Sequence, residues 1–217
     1  MSVNIVLVGT SHPGNIGSAA RAMKNMGLDR LRLVAPERFP ATEATVMAAG
    51  ADAVLDRARV FPDVASAVAD CGLVVGTTAR SRHLPWRVVE PREAAREIVG
   101  ASTTGEVAVL FGAERMGLTN EDLERCQLLL TVPTGSNYGS LNVAMAVAIV
   151  AYEVLLASRG EEGAMAARGG IPLASAVEMQ RFYEHLERVL EEIEFRDRNG
   201  EGHLMARIRR LFNRAVL

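Results

Sequence analysis

Three stretches of this 217-residue chain carry the residue types that could do chemistry, and each sits where a strand gives way to a loop. The first is Gly76-Thr77-Thr78-Ala79-Arg80-Ser81-Arg82. The second is Gly112-Ala113-Glu114-Arg115-Met116-Gly117. The third runs from Pro133 to Ser140 and leads on to Leu141 and Asn142. Glycines in such loops let backbone approach a ligand, although a plain turn is the ordinary reading of any one loop alone. Glu114 is a lone carboxylate, open to a role in a site or to a salt bridge with Arg115. After the third loop comes a long apolar run, for which Ser140 or Asn142 can act as cap. The free N–H groups of a helix start suit an anion or a polar ligand.

Several chemistries are excluded. No Gly-Lys-Ser/Thr follows the glycines, so a phosphate-cradling P-loop is absent. Gly9, Gly14 and Gly17 miss the spacing of a dinucleotide fingerprint. His12, His83, His185 and His203 are scattered and make no ligand cluster, so no metal is expected. Cys71 and Cys126 lie in apolar surroundings and read as buried reduced thiols of a cytosolic protein. The opening Met1-Ser2-Val3-Asn4 runs straight into a strand, so no signal peptide and a cytoplasmic location are expected. The run from Leu141 to Leu156 is too short and too rich in Ala for a membrane span. A net charge of -2 excludes a globally basic nucleic-acid binder but not a local basic patch.

The elements that must position these loops alternate. Ile5–Val8, Leu31–Val34, Leu73–Val75, Val107–Phe111 and Leu128–Val132 are short β-branched or leucine runs, read as buried parallel strands. Between them, helices are expected over 15–26, 42–50, 63–71 and 91–99, with 52–60 ambiguous and holding a short strand. Ile16, Ala19, Ala20, Met23 and Met26 form one stripe of the first helix, and Arg21 points almost opposite Ile16. Thr119 with Asp122 spells a capping box. Alternation of this kind predicts an open α/β parallel sheet with its site at the carboxyl ends of the strands.

After residue 158 the composition turns to Gly, Ala and charge, so the expected division is a domain over 1–158, a flexible linker over 159–175, and a helical extension over 176–217. Phe182, Leu186, Val189, Leu190 and Ile193 recur at helical spacing, and a second helix follows over about 201–216. Residues 178–195 hold six acids against two arginines, and 196–217 hold six arginines against two acids. Arg207, Arg209, Arg210 and Arg214 thus read as a basic face, either solvated or in contact with RNA.

Three stretches, Asn15-Ile16-Gly17-Ser18-Ala19-Ala20-Arg21, Leu110 through Leu118, and Val132-Pro133 with Ser140-Leu141-Asn142-Val143-Ala144, together resemble the ordered motifs of SPOUT (TrmH-type) RNA ribose 2′-O-methyltransferases. The extension, with Phe182-Tyr183-Glu184-His185-Leu186 and Leu211-Phe212, is similar to the subgroup acting on cytidine or uridine 32 of tRNA. The resemblance implies a trefoil knot over about 107–152, S-adenosylmethionine as cofactor, a homodimer and a tRNA substrate. It implies catalytic roles for Arg21, Asn15, Glu114, Ser140 and Asn142. Cofactor contacts are implied at Gly76, Thr77, Thr78, Gly112, Glu114, Leu130, Val132, Ser140 and Leu141, and RNA contacts at Arg80, Arg82, Arg207, Arg209, Arg210 and Arg214. Two other expectations remain beside it: a methyltransferase of ribosomal RNA, and a non-catalytic RNA-binding module.

Overall fold

The computed structural model describes residues 1–79, 87–135, 139–160, 173–193, 195 and 204–215. Seven strands form one sheet: β1 (Val3–Val8), β2 (Arg30–Val34), β3 (Arg59–Phe61), β4 (Cys71–Thr77), β5 (Val88–Val89), β6 (Glu106–Phe111) and β7 (Leu128–Leu130). Their order across the sheet is β3-β2-β1-β6-β4-β7-β5, and every neighbouring pair is parallel. Parallel strands need crossovers, and the helices supply them. These are α1 (Pro13–Asn25), α2 (Thr42–Ala48), α3 (Asp52–Asp56), α4 (Val64–Ala67), α5 (Pro91–Ala101), α6 (Asn120–Glu124) and α7 (Val143–Gly160). The extension adds α8 (Ala176–Glu192) and α9 (Leu204–Ala215).

The alternation of side chains along a strand divides the core in two. Ile5 and Leu7 of β1 point to one face, packed with Ile16 and Met23 of α1, Ile98 of α5 and Val147 and Val150 of α7. Val6 points to the other face, with Val64, Leu118, Leu123 and Cys126. Helix α7 is long and apolar enough to cross a membrane by length and composition alone. Here Val143, Val147, Val150, Ala151 and Val154 bury one of its faces against α1 and α5, as a core helix does. Gly17 in α1 allows a close crossing: a Cβ there would lie 2.0 Å from the carbonyl oxygen of Ala44 in α2.

The expected open sheet is present, with differences in detail. The ambiguous stretch 52–60 splits into α3 and β3. The helix expected over 63–71 stops at Ala67, and Cys71 already belongs to β4, since the apolar run 73–75 pairs along its whole length with β6. β7 ends at Leu130 rather than Val132, although the N–H of Thr131 still donates to the carbonyl of Val89. The small edge strand β5 was not expected; it pairs only with β7. α7 runs to Gly160, two residues into the stretch expected to be linker, and 161–172 lie outside the described residues.

Candidate active site at the strand ends

β6, β4 and β7 are neighbours in the sheet, so their carboxyl ends bring the three sequence loops together. They enclose a cavity of about 370 Å³. Thr77, Thr78, Gly112, Glu114, Leu130, Val132, Ser140 and Leu141 all line it. So do Phe111, Leu118, Val143 and the exposed Met116, which belong to the sequence motifs but were not named as contacts, and Leu123, which lies outside them. Size and a mainly apolar wall with backbone edges suit a small organic ligand. Gly112 is obligatory for this shape: a Cβ on it would come within 2.2 Å of the Gly117 carbonyl carbon and the Leu118 nitrogen, both backbone. The loop closes on itself through the Gly117 N–H donating to the Ala113 carbonyl at 2.8 Å, with Gly117 at φ +68°.

Gly76 is placed differently. It does not line the cavity but sits beneath it, where a Cβ would lie 2.8 Å from Cys126 Sγ and 3.1 Å from Leu123 Cδ2. Its role is to admit α6 against β4. Thr77 anchors the loop above it by donating from Oγ1 to the Leu110 carbonyl at 2.8 Å, and the Thr78 N–H donates to the Leu130 carbonyl at 2.9 Å.

A relay of hydrogen bonds joins the second loop, α1 and α7. Asn142 accepts at Oδ1 from the Ala144 N–H at 2.8 Å, which caps the start of α7 as the sequence suggested. Its Nδ2 donates to Asn15 Oδ1 at 2.9 Å. Asn15 Nδ2 in turn donates to Glu114 Oε1 at 2.7 Å. The other Glu114 oxygen accepts from the N–H and Oγ of Ser11 at 3.2 and 3.1 Å. Glu114 makes no ion pair with Arg115 among the described residues. Partial burial pushes its carboxyl up, but the hydrogen bonds from Asn15, its own backbone and Ser11 outweigh that and leave it below the ordinary carboxylate range. Ser11 is the partner missed from sequence; its only signal was its place in the turn after β1.

Arg21 is exposed on α1 and lines an open groove together with His12, Asn15, Glu43 and Asn142. The same groove reaches Met47 and Met145. Asn15 and Asn142 thus face both the groove and the relay that leads to Glu114 at the cavity. Ser140 lies at the cavity edge and is exposed. Among the described residues no three His, Cys, Asp or Glu side chains stand together as a metal site. Both cysteines are buried and free; burial pushes the Cys71 thiol up to about 12 and raises Cys126 as well.

Among the described basic residues of the tail, Arg209 departs from the side of α9 that Arg207 and Arg210, three positions apart, share. Arg207 is exposed, and Arg210 donates from Nε back to the Ala206 carbonyl at 3.0 Å. Arg209 turns inward, with its guanidinium 4.5 Å over the Tyr183 ring and Nη1 donating to Gln180 at 3.0 Å. Two positions on along a helix, a side chain lies almost opposite, which is why 207 and 209 part company. Arg80, Arg82 and the side chain of Arg214 lie outside the described residues.

A parallel sheet with a glycine-floored cavity at its carboxyl ends, and a polar relay beside it, defines an α/β protein built to hold a small cofactor next to a second substrate. The chain belongs to the SpoU rRNA methylase family, which it matches over residues 2–152, and it matches the C-terminal domain of the tRNA methyltransferase TrmJ over 177–217. It is 46% identical to the tRNA (cytidine/uridine/adenosine-2′-O-)-methyltransferase TrmJ of Pseudomonas aeruginosa, covering 99% of this chain and 87% of that one. The crystal structure of TrmJ from Z. mobilis ZM4 superposes with a TM-score of 0.84 at 38% identity, covering 100% of this chain and 92% of that one. The SpoU methyltransferase AviRb from Streptomyces viridochromogenes, solved with AdoMet, has a TM-score of 0.55 over 74% of this chain and 58% of that one; at 19% identity it speaks for the fold.

Proposed function

We propose that the chain transfers a methyl group from S-adenosylmethionine to the 2′ oxygen of a ribose in tRNA, the cytidine or uridine at anticodon-loop position 32. It does so as a cytoplasmic homodimer with no metal and no membrane. The observation that carries this reading is the juxtaposition of the glycine-floored cavity and the Arg21 groove through the Glu114–Asn15–Asn142 relay.

The residues fit S-adenosylmethionine. Gly112 keeps the cavity floor free of side chains, Leu130, Val132 and Leu141 offer apolar wall to an adenine, and Thr77, Thr78, Glu114 and Ser140 offer polar groups. Bound there, it supplies an electrophilic methyl on a sulfonium. The chain's own task is to align the ribose oxygen with that methyl, and alignment is worth about 7–11 kcal/mol of barrier. The relay holds Asn15 and Asn142 still at the groove. Arg21 serves by holding the RNA and by stabilising the charge that develops on the 2′ oxygen as its proton passes to water in the open groove.

Several features support the dimer. Met145, Ile149, Tyr152 and Leu156 of α7 are exposed, as are Val46 and Met47 of α2. Met47 and Met145 border the Arg21 groove, so a second copy seated there would close it with its own cavity loops. The knot over about 107–152 belongs to this reading, since that stretch holds two of the three cavity loops. The match of 177–217 to a tRNA methyltransferase extension favours tRNA over ribosomal RNA. Incubating the protein with S-adenosylmethionine and either tRNA or ribosomal RNA, then cutting the RNA with a base-specific nuclease and sequencing the fragments by mass spectrometry, tests it. A 2′-O-methyl nucleoside at position 32 of tRNA is expected; methyl on ribosomal RNA alone, or on neither, refutes the reading.

A further inference from the structure

We infer that Tyr183 and Asn213 form a polar latch that fixes the extension to the body at the rim of the cofactor cavity, which makes them positioning residues for tRNA; this rests on the function proposed above. Helix α8 buries one residue, Tyr183, and Asn213 is the buried residue of α9 among those described. The large apolar residues Ile193, Phe195 and Leu211 are exposed. Apolar contact joins α8 to α9 through Phe182, whose ring lies 4.8 Å edge-on from that of Phe212, and Ala176 packs on the core of the body.

Polar contacts add the link between α9 and the segment at the end of α6. Tyr183 Oη donates to Asn213 Oδ1 at 2.8 Å. Asn213 Nδ2 donates to the carbonyls of Glu124 at 3.3 Å and Cys126 at 3.5 Å. The Glu124 carbonyl belongs to the last turn of α6, where a helix leaves its acceptors without internal partners, and the Cys126 carbonyl lies just past the end of that helix. The Val177 N–H adds a second point of attachment, donating to the Ala69 carbonyl at 3.1 Å. Arg209, stacked on the Tyr183 ring and bonded to Gln180, holds the latch from outside.

The element being gripped matters. α6 carries Leu123, which lines the cofactor cavity, and its other end is locked by the Thr119–Asp122 capping box. An extension clamped to α6 therefore stands at a fixed offset from the reacting methyl. RNA held by Arg207 and its neighbours would then be delivered in register, and releasing the extension would lower its effective concentration at the site. The contacts at 3.3 and 3.5 Å are long for N–H···O bonds, so the latch is weak enough to remove without unfolding the sheet.

The test uses the full-length protein carrying Tyr183→Phe or Asn213→Ala. Tyr183→Phe keeps the ring under Arg209 and deletes only the hydroxyl. Steady-state tRNA methylation, cofactor calorimetry and hydrogen exchange are measured on each. The expected result is a KM for tRNA raised about tenfold, the scale of one or two lost buried hydrogen bonds. With tRNA saturating, kcat and cofactor affinity stay at wild-type values, while amides of α8 and α9 exchange faster and those of β6 and α7 do not. Wild-type KM in both variants overturns the latch. So does a parallel fall of kcat, cofactor affinity and melting temperature, which marks a merely structural pair. Absence of tRNA methylation by the wild type refutes the proposed function instead, and the exchange of α8 and α9 then decides the latch by itself.

Discussion

Replacing Glu114 by Gln separates positioning from catalysis at the centre of the site. The carboxylate accepts three hydrogen bonds, two from Ser11 and one from Asn15. An amide can keep its oxygen toward Asn15, but its NH₂ then faces the Ser11 N–H, donor against donor. The bond from the Ser11 N–H is lost, and those with Asn15 and with the Ser11 hydroxyl, which rotates to accept from the amide, become neutral; this amounts to about 1–3 kcal/mol, toward the lower end because the group is partly in water. That predicts a fall in kcat/KM of about 5–30-fold and a melting temperature lower by about 2–8 °C. A general base would behave otherwise, losing about 10²–10⁴ in rate with the fold intact. Methylation kinetics and calorimetry on one preparation decide between them. A thousandfold loss with unchanged melting temperature would refute the positioning role, and so would no change in either. The acid side adds a check. The folded carboxyl lies below its ordinary value, so its stabilisation is complete above the unfolded pKa and is lost as pH falls through the folded one. The wild type's advantage over Glu114→Gln should therefore shrink below about pH 4.3.

Gly112→Ala forces backbone atoms of Gly117 and Leu118 apart, so cofactor affinity should fall by about tenfold or more; calorimetry showing wild-type affinity contradicts the cradle. Arg21→Ala should leave cofactor affinity near normal and lower kcat strongly, since its role is exercised in the transition state. Mixing Arg21→Ala subunits with Gly112→Ala subunits should restore part of the activity through one intact composite site; no restoration contradicts a shared dimer site. Cys71 and Cys126 should resist maleimide at pH 8 in the native protein, their thiols being buried and raised; labelling as fast as in denaturant contradicts this.

The open parallel sheet was legible because β-branched runs alternate with amphipathic stretches, and because Thr119/Asp122 capping and the Asn142 cap are local patterns. The three loops were legible as strand ends. Their convergence was not a local property. It follows from the strand order β6-β4-β7, which brings residues 77, 112 and 130 side by side. Gly76 was assigned to the cofactor from its place in a loop motif; the structure adds a packing role for it, beneath the cavity against α6. The tail was read as one basic face because charge is counted along the chain; helical phase and the Tyr183 ring drew Arg209 inward. Tyr183 was visible only as part of the extension's motif and Asn213 not at all, since their bond spans 30 positions and joins two helices of ordinary amphipathic composition.

The chemistry itself is tested most directly at the acceptor atom. A tRNA carrying a 2′-deoxynucleotide at position 32 keeps its phosphates and shape, which supply much of RNA affinity, but lacks the nucleophile. Such a tRNA should bind with nearly the affinity of native tRNA and accept no methyl from S-adenosylmethionine. Methyl transfer to that substrate at an undiminished rate would contradict 2′-O-methylation.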